Sequence, residues 1–70
     1  MKLDFTKAEW EDFTQNCEFT DDELEVIPLI RRGWALVDIA YELCISESTL
    51  KRRKRKIEYK IIRRISEGSR

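Results

Sequence analysis

Hydrophobic residues along this 70-residue chain recur at helical spacing. One device marks where the helices begin. Phe5-Thr6-Lys7-Ala8-Glu9-Trp10 offers Thr6 as an N-cap, Glu9 as the carboxylate that reaches back to it, and Phe5 with Trp10 as a hydrophobic staple. Phe19-Thr20-Asp21-Asp22-Glu23-Leu24 repeats the pattern position for position, and Ile45-Ser46-Glu47-Ser48-Thr49-Leu50 keeps the cap and staple but has Thr49 in place of the carboxylate. These signals predict helices at about 7–16, about 21–32 ending at Gly33, about 36–43, and from about 47 onward with no breaker before Gly68. In the last of these, Leu50, Ile57, Ile61 and Ile65 return at intervals of seven, four and four, so one apolar stripe runs far along the helix and needs a cover.

Two local conflicts accompany this reading. Helix 3 has Ala35 where a polar cap would serve best, so its first turn should fray. Pro28, inside helix 2, removes a backbone hydrogen bond and disfavours helix by roughly 3 kcal/mol, which predicts a kink or distorted turn. The expected fold is all-α: a single small four-helix domain spanning residues 1–70, with an N-terminal helix in 1–18, a core in 19–62 and a tail in 63–70. Its interior should draw on Ile39 and Ile57 packed against Leu24, Ile27 and Ile30. Leu43, Ile45 and Leu50 bracket the 3–4 turn, small Ala40 permits close approach of helices 3 and 4, and Trp34 closes the core beside helix 3. Trp10 and Phe13, set among acidic residues, read as core or interface.

A chain this short buries only roughly 60% of its unfolded surface, too little for a substrate cavity within a layered core. No histidine, Gly-rich phosphate loop, or Ser or Cys beside a base is present, so an enzyme is not expected. Cys17 and Cys44 lack metal-ligand spacing and read as small, reduced, partly buried side chains; no cofactor or metal is expected. No apolar run approaches the roughly 20 residues of a membrane span, and the N-terminus is too polar for a signal peptide, which predicts a cytoplasmic, nucleoid-associated protein without a membrane partner.

Charge changes the picture more than composition does. The formal net charge is zero, yet residues 1–30 hold Lys2 and Lys7 against nine acids, a net of −7, and the remainder carries +7. Such a split points to a nucleic-acid partner for the basic half, with the acidic half repelling phosphates or screening its neighbour. The basic residues concentrate in Lys51-Arg52-Arg53-Lys54-Arg55-Lys56, directly after the start of helix 4 and behind a tight turn from helix 3. Two short helices so joined form a helix-turn-helix, whose second helix can enter the major groove. With Leu50 pointing inward and 100° per residue, Ser48, Lys51, Arg52 and Arg55 project from the far face and are the candidates for base edges. Thr49, Arg53, Lys54 and Lys56 lie on the flanks and suit phosphates, with Ser46, first a cap, and Tyr41 of helix 3 as further phosphate candidates. Arg31 and Arg32 complement the dipole of helix 2.

Residues 19–62 resemble the DNA-binding domain of LuxR/GerE-type regulators and the related fourth region of sigma factors. The likeness runs without a gap through Phe19-Thr20, Glu23, Glu25-Val26-Ile27, Leu29-Ile30, Gly33, Asp38-Ile39-Ala40, Leu43, Ile45-Ser46, Thr49-Leu50-Lys51 and Ile57. It implies double-stranded DNA as partner and transcription regulation as role, with the recognition helix at about 47–57. Two positions depart from the pattern. Cys44 stands where such domains usually have Gly, so the turn must accept a side chain in a left-handed conformation at some cost. Arg53 stands where LuxR-type domains often carry His and short sigma factors often carry Arg, which shifts weight toward a sigma-like reading. The likeness covers no receiver or autoinducer-binding region, and none of their signal input is carried over.

LuxR-type domains usually dimerise through a further helix, which the sequence after helix 4 is too short to supply. Either Ile61, Ile62 and Ile65 pair with a second copy, giving a homodimer on two half-sites, or Trp10 and Phe13 of helix 1 cover them. The alternative function is a sigma-like interaction module that docks on RNA polymerase or a regulatory partner through its acidic helices. No small-molecule ligand is evident.

Overall fold

A computed structural model describes residues 3–68. Four helices follow one another: α1 (Lys7–Asn16), α2 (Asp21–Arg31), α3 (Leu36–Glu42) and α4 (Glu47–Gly68), and no strand occurs among the described residues. The domain is all-α. Residues 63–68 continue α4, while residues 69 and 70 of the expected tail lie outside the described residues. A 22-residue helix is about 33 Å long at 1.5 Å per residue, which accounts for the 39 Å long axis of a body about 20 Å across.

The helix starts follow from local chemistry. The Thr6 hydroxyl accepts from the Glu9 N–H at 3.2 Å and the Glu9 carboxylate accepts from the Thr6 N–H at 2.9 Å; Thr20 and Glu23 repeat the reciprocal pair. Phe5 meets Trp10 edge to face at 5.5 Å, as a staple requires. Ser46 caps α4 through the Thr49 N–H at 3.1 Å. Ala35, as expected, gives α3 no side-chain cap.

Pro28 sits inside α2 without interrupting it, and its carbonyl still accepts from the Arg32 N–H at 3.1 Å, so the expected distortion does not end the helix. Beyond Arg31 the chain closes by paired bonds, Gly33 N–H to the Ile30 carbonyl and Trp34 N–H to the Leu29 carbonyl, with Gly33 at φ 81°. The same closure ends α3: Cys44 N–H donates to the Tyr41 carbonyl and Ile45 N–H to the Ala40 carbonyl, with Cys44 at φ 56°. A side chain therefore occupies the left-handed position that glycine fills at the end of α2.

The core joins all four helices: Trp10, Phe13 and Cys17 from the first region, Val26, Ile27 and Leu29 from α2, Ile39 and Ala40 from α3, and Leu50, Ile57 and Ile61 from α4. Three expected assignments change. Leu24 is exposed, while Val26 and Leu29 join Ile27 in the inward places and Ile30 packs against the core as expected, because α2 turns the face bearing Glu23 toward α4. Trp34 is 39% exposed and does not close the core. Cys44 is exposed, carried outward by its turn, whereas Cys17 is buried and its thiol titrates higher than usual through loss of solvent.

Candidate nucleic-acid interface

The site is the first half of α4, set at a fixed angle by two things. The four residues between α3 and α4 are held by the closure at Cys44 and Ile45 and by the Ser46 cap, and Leu50, fully buried, fastens the first turn of α4 to the core. With Leu50 inward, Ser48, Lys51, Arg52 and Arg55 are all exposed, and they share the outer face of the helix at 100° per residue. Lys51, Arg52, Arg55 and Lys56 form no ion pair with another described residue.

The flanking candidates differ from these. Arg53 is half-buried and its guanidinium lies 3.9 Å from the Asp22 carboxylate of α2. Lys54 is half-buried and pairs with Glu58 one turn on, at 3.6 Å. Both are exposed enough for their pairs to be weak and exchangeable. Thr49 is half-buried, and its hydroxyl accepts from Ser46, whose own oxygen serves the cap. Tyr41 is 87% exposed on α3, with Asp38 and Glu42 beside it in sequence.

Past Ile57 the same helix is clamped to the acidic half. Glu23, 2% exposed, is the one buried charged side chain among the described residues, and its carboxylate pairs with the Lys60 ammonium. That ammonium also donates to the Glu18 carbonyl at 3.1 Å and lies 5.9 Å from the Phe19 ring centre. Arg64 grips Asp12 with two hydrogen bonds of 3.0 and 3.2 Å; the guanidinium holds the Asp12 carboxyl below its ordinary value, and the carboxylate raises Arg64 in turn. Sequence reasoning found Glu23 as a capping residue and missed it as an ion-pair partner, because Lys60 is 37 residues away.

The expected dimer surface is corrected at one position. Ile61 is fully buried in the core cluster that contains Trp10 and Phe13, so it cannot meet a second copy; Ile62 and Ile65 remain 50% and 45% exposed. Arg31, expected to complement the helix dipole, also lies 5.9 Å from the Trp10 ring centre.

Among the described residues no group of His, Cys, Asp and Glu is placed to hold a metal ion, and no helix is long and apolar enough to cross a membrane. Scans against protein-family models, curated proteins and solved structures found no match.

Proposed function

We propose that this protein binds double-stranded DNA sequence-specifically as a small transcriptional regulator, with α3 and α4 acting as a helix-turn-helix and residues 47–57 lying in the major groove. The observation that carries this reading is the outward face of early α4. Ser48, Lys51, Arg52 and Arg55 stand exposed around the buried Leu50, on a helix whose later turns are anchored to the rest of the domain. In this arrangement Lys51, Arg52 and Arg55 donate to base edges, an Arg or Lys on guanine O6 and N7 giving roughly 1 to 3 kcal/mol of discrimination. Lys56, Arg53, Lys54 and the hydroxyls of Thr49 and Ser46 grip phosphates and set the register. Asp38 and Glu42 beside Tyr41 oppose a phosphate there and weaken its candidacy.

Selection from random duplex oligonucleotides tests the reading. An enriched motif is expected, and Lys51→Ala and Arg52→Ala should each erase preference at one position; uniform weakening on every sequence would demote them to phosphate grips. The exposed acids Asp21, Asp22 and Glu25 of α2 support the second reading, a sigma-like module docking on RNA polymerase or a regulatory partner. Absence of any enriched motif, together with capture by a polymerase subunit, would favour it.

A further inference from the structure

A second surface lies apart from the proposed DNA-binding face. Trp34, Val37 and Tyr41 are exposed by 39%, 56% and 87%, and their spacings of three and four put them on one side of the chain as it enters and forms α3. Beside them is a shallow hollow of about 570 Å³, lined by Trp34, Ala35, Asp38, Tyr41 and Glu42 with Gly33. Two aromatic rings with two carboxylates are a chemistry that recognises a guanidinium: the ring faces attract the cation and the carboxylates accept its hydrogen bonds.

The chain itself supplies a matching face. On late α4, Tyr59 and Ile62 are 62% and 50% exposed, and Arg63 follows within about 100° of Ile62 around the helix. The Arg63 side chain is 67% exposed and pairs with Glu67 at 3.9 Å on the surface, a contact of the kind that exchanges readily. One face is apolar with a negative rim, and the other is apolar with a guanidinium at its edge.

We propose that a second copy of this chain occupies the α3 hollow, inserting Arg63 between Trp34 and Tyr41 against Asp38 and Glu42, with Tyr59 and Ile62 covering Val37. The contact is heterologous, because the two faces are different surfaces of the same molecule; a pair leaves the hollow of one copy and the α4 face of the other unused, and can extend the assembly. A few side chains on each partner place it among small, transient interfaces, so association belongs in the micromolar range and strengthens where copies are gathered on neighbouring sites. The inference is independent of the DNA-binding reading, since none of Ser48, Lys51, Arg52 or Arg55 takes part.

Sedimentation velocity over a concentration series tests it with two double variants at exposed positions, Asp38→Lys with Glu42→Lys, and Ile62→Glu with Arg63→Glu, each first shown to retain wild-type helical circular dichroism. The wild type should associate beyond a dimer as concentration rises, and each variant alone should weaken association by roughly tenfold or more. Mixed, the two variants should form a one-to-one complex that grows no further, because each retains the face the other has lost. A wild type that stays monomeric, variants that associate as the wild type does, or a mixture that stays monomeric would each overturn the proposal. Loss in the second variant alone, without rescue on mixing, would identify a two-fold contact through α4 instead.

Discussion

In the first half of α4, residues 47–56, Leu50 is buried and Lys51, Arg52, Arg55 and Lys56 stand in solvent; in the second half, Ile57 and Ile61 are buried and Lys60 and Arg64 are drawn onto Glu23 and Asp12. The helix carries nine cations against three acids along its length, so charge density alone does not separate the halves. What separates them is the neighbour. The acidic residues of α1 and α2 reach the later turns, where they meet cations at a half-buried boundary, and reach the earlier turns only through the long Asp22–Arg53 contact. The segregation of charge along the chain therefore has two structural results: part of the acidic half fastens the helix down, and the cations beyond its reach stand exposed to solvent.

Substitutions can break this contrast. Ile61→Ala should cost about 2 to 5 kcal/mol in urea unfolding, the range for deleting a buried isoleucine side chain; an unchanged midpoint would return Ile61 to the surface. Lys60→Met strands a buried carboxylate. Because Lys60 is itself 30% exposed, the expected loss is about 2 to 3 kcal/mol, below that of a fully buried pair, whereas Lys51→Met should stay within about 0.5 kcal/mol of the wild type. Equal effects at positions 60 and 51 would remove the distinction between clamped and free halves.

The sequence resolved whatever depends on neighbours a turn away. Thr6 with Glu9, Thr20 with Glu23, and Ser46 as a cap are contacts at a separation of three, and all are formed. The positive φ of Cys44, 56°, was legible only through the resemblance to LuxR-type domains, which usually have glycine at that turn position. What depends on distant neighbours was not resolved. On α2, Val26, Ile27, Leu29 and Ile30 share an arc of about 160° that also holds Glu23, so apolar periodicity does not foretell a carboxylate within the inward face, where it pairs with Lys60. An apolar residue just after the Gly33 turn points to the core, yet Trp34 stays 39% exposed, and the choice between two covers for Ile61 depends on Trp10 and Phe13, about fifty residues away in sequence. For the candidate site, placing Leu50 inward was enough to orient the outer face of α4, because one buried residue fixes the phase of a helix.

Cys44→Gly should raise stability by about 1 kcal/mol by relieving the left-handed backbone of an L-residue, measurable as a higher urea midpoint; a loss would mean that the exposed thiol side chain stabilises the turn. The Asp12–Arg64 grip sets an acid dependence. Because Arg64 depresses the folded-state Asp12 value below 3.8, its contribution is complete above that value and is lost as pH falls through the lower one. The stability gap between wild type and Arg64→Gln should therefore be constant near neutrality and close in strong acid. A gap that persisted there would assign the effect of Arg64 to packing.

On the proposed DNA-binding reading, early α4 offers cations to DNA phosphates and bases while late α4 does not. Duplex affinity measured against salt addresses it directly. On a duplex long enough for one copy only, the wild type should lose affinity along a straight line in log salt with a slope of about −0.9 for each phosphate neutralised, and Lys56→Gln should flatten that line by about one such step while Arg63→Gln leaves it unchanged. A flat line, or no duplex binding at low salt, would contradict the account.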